Sequence, residues 1–392
     1  MIDALLNDRE IRRAAEAARP DDDPSETLAR VGWSVLIEPG DGVAGALVAE
    51  LGALEALKFA LAGETFGLAE KAIQEGRRRW VPRAQPRAVR DALRGAAEVD
   101  ARLLLPGDPD WPTALDDLGS HAPTLLWVRG DPSHLVAPHR VSIVGARAAT
   151  AYGESIAAEL AGDLAATGAV IVSGGAYGID GAAHRAALGA GGTTVAFLAG
   201  GVDRAYPVGH QQLFDRVMAS GALVSELPCG AAPTKFRFLG RNRLIAALGA
   251  ATVVVEAGWR SGSLNTAGHA STLARPLGAV PGPVTSAASA GCHRLMREYD
   301  AQCVTNAAEV RELMGAEVAQ EVFEARPDSD HTRLLDVMSA RTPRTPTELA
   351  ALAGVSVERA RSVLGILGLE GKVEQLPTGW ARMSAKSRNG GR

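Results

Sequence analysis

The sequence predicts a three-part α/β protein: a helical front, a doubly wound parallel α/β domain and a winged-helix end. From Val141 onward, nearly continuous apolar strands alternate with amphipathic helices, the pattern of a parallel sheet covered on both faces. The front carries helical periodicity, and residues 331–383 read as a helix, a helix-turn-helix and a two-stranded wing. At 392 residues the chain exceeds one ordinary domain, and its 46% hydrophobic content supports real cores.

Residues 1–75 form the helical module. Here "DREIRRAAEAAR" is rich in Ala and Arg, and "GALVAELGALEALKFALAG" repeats apolar positions at three and four residues before a Gly stop. Short, glycine-punctuated helices of this kind make a helix-hairpin module. Residues 76–95 are expected as an Arg-rich linker holding Trp80 and two prolines, a solvated connector with nucleic-acid contact as the alternative. The α/β domain is placed at 96–318. Its strands are "PTLLWVRG" (123–130), "VSIVG" (141–145), "AVIVSGG" (169–175), "TTVAFLAGG", "ALVSEL" and "ATVVVEA", with "LGAVPG" and "CVTN" closing the sheet. The helix after the second of these carries Ile156, Leu160 and Leu164 on one face, and "AAHRAAL" is a shorter one. A linker is expected at 319–330, around the polar break "EARPDSDH". In the winged domain "TPTELAALAG" opens on a capping box, Thr345 and Glu348, with Pro346 first in the helix and Gly354 as its stop. The next helix turns Val363, Leu364, Leu367 and Leu369 inward, and "KVEQLPTGWARM" forms the wing. Residues 384–392 make a basic tail.

Several function classes lose ground at once. A formal charge of −4 argues against an overall polycation, though not against a local patch. Cys229, Cys292 and Cys303 show neither CxxC pairing nor metal-ligand spacing, so no metal is expected and a reducing compartment is. The N-terminus lacks the apolar core of a signal peptide, and Leu244 to Val255 is too short to cross a bilayer core of about 30 Å. A cytoplasmic protein without membrane contact is the expectation. Neither GxxxxGK[ST] nor GxGxxG follows the first strand, so ATP and NAD chemistry are disfavoured and no cofactor is expected.

Ligands of a parallel α/β sheet bind beyond the carboxyl ends of the strands. Three loops there stand out. "VGARAATAYG" places Gly145 and Arg147 before a helix start, where backbone amides and a planar cation favour an anion. "SGGAYGIDGAAH" supplies Ser173, Gly174, Gly175, Tyr177 and Gly178, with Asp180 able to cap the following helix. "EAGWRSGSLNTAGHA" offers Ser261, Gly262 and Ser263. Glycine turns also serve ordinary tight connections, but three on one rim point to an anion-binding crevice. His184 and His269 have no evident nucleophile beside them and read as structural. Glu226 and Glu256 end strands on the same rim; they are the best acids for an enzyme, or else orient Arg241 and Arg243 through ion pairs, the preferred reading.

The stretch "APTKFRFLGRNRLIAALGAATVVVEA" (232–257) joins the crevice to a ligand class. Lys235, Arg237, Arg241 and Arg243 fall within nine positions, no acid stands between Leu227 and Val255, and Phe236 and Phe238 are interleaved. Cations for phosphates beside rings for bases are what single-stranded nucleic acid requires. The competing reading is a helix start whose phenylalanines are core and whose arginines tie down loops. On that reading one of Phe236 and Phe238 is expected inside and the other outside.

"SIVGAR…YG", "SGGAYGIDGAAHRAAL", "GGVDRAYP", "SELPCG…KFRF…RNRLIA" and "VVVEAGWRSGSLNTA…AVPG" resemble, in order and spacing, the DNA-processing protein A family (DprA, also called Smf) over about residues 100–312. The resemblance implies an extended Rossmann-like domain that binds single-stranded DNA without nucleotide hydrolysis. It further implies a homodimer that brings the recombinase RecA onto incoming strands in natural transformation. The family's positive pocket would contain Arg147, Lys235, Phe238, Arg241 and Asn242. The chain departs from the pattern at Tyr177, where the family often has Arg, at Leu239, where it has Pro, and at Asn265 within SGSLxT.

The function expected is therefore a non-enzymatic single-stranded DNA binder and recombination mediator. In it Arg147, Lys235, Arg241 and Arg243 hold phosphates, and Phe236 or Phe238 stacks a base. A phosphoribohydrolase-like enzyme on the same fold is the alternative, weakened because "SGSLNT" stands where that family has PGGxGT with a downstream Glu. A sequence-specific regulator acting through Glu358, Arg359 and Arg361 is a third reading, with a thin set for base recognition.

Overall fold

The computed structural model describes residues 8–62, 70–315, 329–369 and 371–383. These fall into two compact units, the first within Met1–Val318 and the second within Ala319–Arg392.

The first unit opens with six helices: α1 (Arg9–Ala18), α2 (Pro24–Leu36), α3 (Gly42–Leu51), α4 (Ala53–Ala62), α5 (Glu70–Trp80) and α6 (Pro86–Glu98). Asp8, Asp23 and Asp41 cap α1, α2 and α3 through their side chains, each accepting from amides of the first turn. Gly52 takes φ +76° and separates α3 from α4, in keeping with short, glycine-punctuated helices. The expected connector at 76–95 is helical instead. Trp80 is fully buried and meets Trp33 edge-on at 5.4 Å, while Val89 and Leu93 face the same core. Arg79 pairs with Asp41 at 3.0 Å and Arg90 with Asp8 at 2.7 Å. Dense arginine concealed a stripe of apolar positions four residues apart. This helical core is continuous with Leu103, Trp127, Leu213 and Leu223 of the sheet region.

The sheet has nine strands: β1 (Arg102–Leu104), β2 (Leu126–Gly130), β3 (Arg140–Val144), β4 (Val170–Ser173), β5 (Thr194–Phe197), β6 (Ala222–Ser225), β7 (Ala251–Val254), β8 (Leu277–Ala279) and β9 (Gln302–Cys303). Their order is β1-β2-β6-β5-β4-β3-β7-β8-β9, parallel from β6 to β9 and antiparallel at β1–β2 and β2–β6. Between them run α7 (Ala151–Ala166), α8 (Ile179–Gly189), α9 (Gln211–Ser220), α10 (Lys235–Leu248), α11 (Ser263–Thr272) and α12 (Ala290–Glu298), and α13 (Ala307–Leu313) follows β9. Every residue of β4, β5, β6 and β7 is buried, as strands covered on both faces require. Successive strands step one way from β3 to β6 and the other way from β7 to β9. The β3–β7 neighbourhood is thus a switch point, where the loops leaving two adjacent strands diverge and open a crevice.

The second unit is a winged helix: α14 (Ser329–Val337), α15 (Pro346–Ala353), α16 (Val357–Leu369), and a wing of β10 (Val373–Leu376) paired antiparallel with β11 (Gly379–Arg382). The capping box at Thr345 and Glu348 forms, and Gly354 ends α15 in the left-handed region at φ +69°. Leu334, Leu349, Val363, Leu364 and Leu367 make its core. The side chain of Leu369, most of the 319–330 segment and the 384–392 tail lie outside the described residues. No helix among the described residues is long and apolar enough to cross a membrane.

Candidate nucleic-acid interface

At the switch point the loops after β3 and β7, with the first half of α10, enclose a crevice of about 900 Å³. Each wall follows from local chemistry. Gly145 ends β3 against the Glu256 carbonyl and the Ile179 side chain, which leave no room for a Cβ. The Glu256 carboxylate, 3% exposed, accepts from the Thr150 amide at 2.8 Å and its hydroxyl at 2.7 Å, and the Ala146 amide donates to the Glu256 carbonyl at 2.7 Å. The loop so pinned presents Arg147 to solvent, its guanidinium 4.5 Å from the centre of the Phe238 ring. Glu256 therefore orients the arginine loop through Thr150, not Arg241 or Arg243 by an ion pair.

In the second loop Gly175 and Gly178 take φ +68° and +72°. Asp180 accepts from the Gly174 amide at 3.1 Å and the Ala176 amide at 3.4 Å, which closes the turn. Burial pushes the Asp180 carboxyl up from its ordinary range, with nearby Arg241 opposing the shift. Arg241, 4% exposed, donates to the carbonyls of Gly174 (2.8 Å) and Phe197. Burial lowers its pKa to about 10, so it stays cationic at neutral pH, and its Nε has no acceptor among the described residues. The third loop links Ser261 and Ser263 through their hydroxyls at 2.8 Å, and Asn242 reaches Asn265 at 3.2 Å and the Gly262 carbonyl at 3.4 Å.

The four cations of "KFRFLGRNR" divide. Lys235 and Arg241 line the crevice. Arg237 turns to Glu38, at 2.8 and 3.0 Å. Arg243, expected on phosphate, is held by Glu226 at 2.5 and 2.6 Å and by the His121 carbonyl at 2.8 Å, with both side chains at most 10% exposed. A buried bidentate pair has neither a free charge nor a free face. Glu226 is thus the orienting acid that was expected, for Arg243 alone. Neither phenylalanine is core. Phe236 is 80% exposed and lies outside the crevice lining, whereas Phe238 is half-buried within it and meets Tyr206 edge-on at 5.8 Å. Ser173 is fully buried with its hydroxyl on the Ile143 carbonyl at 2.6 Å. Tyr177 is half-exposed against His210, also outside the lining.

Tyr206 and Arg260 line the crevice and were passed over, although both stand within the quoted motifs. An aromatic before proline in the loop after β5, and a cation in the loop after β7, were the available signals. His184 is structural: the Thr194 hydroxyl donates to the Ile171 carbonyl at 2.6 Å, so Nδ1 donates to Thr194 at 2.7 Å, and burial lowers the ring's pKa to about 3. Among the described residues no cluster of His, Cys, Asp or Glu could hold a metal.

The family model for DNA recombination-mediator protein A matches residues 102–315, and that for the DprA winged helix domain matches residues 319–379. The chain belongs to the DprA family. It is 42% identical over 377 residues to a DNA processing protein DprA of Mycobacterium tuberculosis, covering 90% of this chain and 94% of the relative. It is 40% identical over 177 residues to protein Smf of Escherichia coli, covering 45% and 47%. The solved structure of DprA from Streptococcus pneumoniae aligns at a TM-score of 0.58 and 29% identity, over 74% of this chain and 97% of that one. In DprA terms, the matched core is the α/β unit that carries the crevice, and the winged helix is a second recognised domain.

Proposed function

We propose that this DprA binds single-stranded DNA in the crevice, protects it there without chemical turnover, and as a homodimer delivers it to RecA during DNA uptake. The carrying observation is the crevice's composition. Arg147, Lys235, Arg241 and Arg260 line it, and the one acid among its lining residues, Asp180, is buried with its charged form disfavoured. None of the four forms an ion pair among the described residues, so phosphates find cations there, and Phe238 and Tyr206 give bases a surface. The mediator and RecA roles rest on the family, whose model is described as a DNA recombination mediator.

The test is fluorescence anisotropy of labelled oligo-dT and of matching duplex, with wild type and Lys235→Ala. Preference for the single strand, weakened by the substitution, supports the reading. Equal affinity for duplex, or indifference to Lys235, refutes the site; release of free base from nucleotides would move the protein to the phosphoribohydrolase class. RecA filament assembly on DNA coated by a single-strand-binding protein, with and without this chain, tests the mediator role.

A further inference from the structure

We propose that Trp259 is a stacking platform that continues the single-strand path beyond the crevice, toward the β8 side of the sheet's carboxyl rim. The inference rests on the single-stranded DNA reading and adds a residue and a direction to it. Of the six tryptophans, Trp33, Trp80, Trp111 and Trp127 are buried and Trp380 is half-buried in the winged unit, whereas Trp259 is 56% exposed. A large ring exposed on the sheet's ligand-binding edge, beside a crevice lined by cations, offers a face on which a base can stack.

Its setting is specific. Trp259 sits in the β7–α11 loop between Gly258 and Arg260, both of which line the crevice. The Arg294 guanidinium of α12 lies 5.2 Å from the ring centre, and Glu298 holds that arginine at 2.7 Å. The ring is thus oriented by a fixed cation. Arg260, next in sequence to Trp259 and exposed, is the cation for the flanking phosphate, whereas Arg294, paired with Glu298, serves to orient the ring. A strand leaving Phe238 and Arg241 can therefore pass Arg260 and stack a base on the indole's exposed surface. This alternation of cation and ring suits single-stranded nucleic acid and any base sequence.

The test compares wild type, Trp259→Ala, Trp259→Phe and Lys235→Ala, by anisotropy and tryptophan quenching, with oligo-dT of about 4 to 16 nucleotides. Wild type should gain affinity with length. Trp259→Ala should lose roughly fivefold or more on the longer strands and little on the shortest, the scale of one base–aromatic stack. Trp259→Phe should keep most of the affinity and lose most of the quenching. Equal binding by Trp259→Ala at every length, with Lys235→Ala weakened, overturns the platform and leaves the crevice standing. Indifference to Lys235, or no binding by wild type, overturns both. Weakened binding by Trp259→Ala together with a fall in sedimenting mass assigns the ring to a subunit contact and also overturns the platform.

Discussion

The sharpest consequence of the crevice is a number for its salt dependence. Four cations line it without an ion pair among the described residues, Arg147, Lys235, Arg241 and Arg260, whereas Arg237 and Arg243 of α10 are paired. If each of the four displaces one counterion from a single strand, the log–log slope of affinity against salt is about −2.8, at about −0.7 per phosphate. Affinity for a short oligo-dT should then fall about 50-fold between 50 and 200 mM NaCl. Lys235→Ala should give a slope of about −2.1 and a fall of about 18-fold, and Lys235→Ala with Arg147→Ala about −1.4 and sevenfold. Arg237→Ala should leave the slope of wild type, because its charge is already neutralised by Glu38. The assay is anisotropy across the salt series, read as slopes so that a fold defect, which lowers active protein, does not imitate the result. Unchanged slopes in the Lys235 and Arg147 variants, or a shallower slope in Arg237→Ala, would refute the division of the helix into free and committed cations.

Three further outcomes follow from single contacts. A Cβ at Gly174 would enter the space of the Arg241 guanidinium, so Gly174→Ala should flatten the salt slope by about 0.7 while the circular dichroism spectrum is kept; a slope like wild type would mean that Arg241 meets no phosphate. Glu226→Gln strands Arg243, whose side chain is 5% exposed, and should cost about 3–5 kcal/mol in denaturant unfolding followed at the first unit; a cost under about 1 kcal/mol, the scale of a surface ion pair, would mean the pair is not buried in solution. His184 holds its proton only below a pKa of about 3 in the folded chain but near 6.5 when unfolded. Unfolding therefore takes up a proton anywhere between those values, and stability falls as pH drops through that window by about 1.4 kcal/mol per unit. His184→Gln should remove about 1 kcal/mol of the loss between pH 6.5 and 5.5, where the unfolded ring is only partly protonated, measured by urea titration; an unaltered pH dependence would place the ring in water.

Strand content was plain in the sequence because a buried parallel strand is apolar at nearly every position, and "VSIVG", "AVIVSGG" and "ATVVVEA" all form strands at the centre of the sheet. The capping box at Thr345 was equally plain, since its chemistry is local and complete within four residues. What stayed hidden depends on partners far along the chain. Arginine between 77 and 94 resembles a solvated charge run until Asp41 and Asp8 are known to face it, and Trp80 until Trp33 does. Glu256 reads as a partner for arginine by charge alone; only the fold brings Thr150 nearer.

The segment from Lys235 to Ile245 shows the same limit from the opposite side, because there the period decides which cations belong together. Read as alternation before a strand, "KFRFLGRNR" sorts its residues at every second position, which groups all four cations together. It is the start of α10, capped by Thr234. At about 100° per residue, Lys235, Phe238, Leu239, Arg241, Asn242 and Ile245 fall within one arc of about 160°. Those are the α10 residues that line the crevice. Phe236, Arg237, Gly240 and Arg243 occupy the opposite arc, and two of them are the cations bound to Glu38 and Glu226. Thr234, a hydroxyl residue one position before the run, was the visible sign that the period was 3.6 and not 2. With that period, the split between crevice-facing and structural cations is a property of the sequence itself, and the partners Glu38 and Glu226 are what the fold adds.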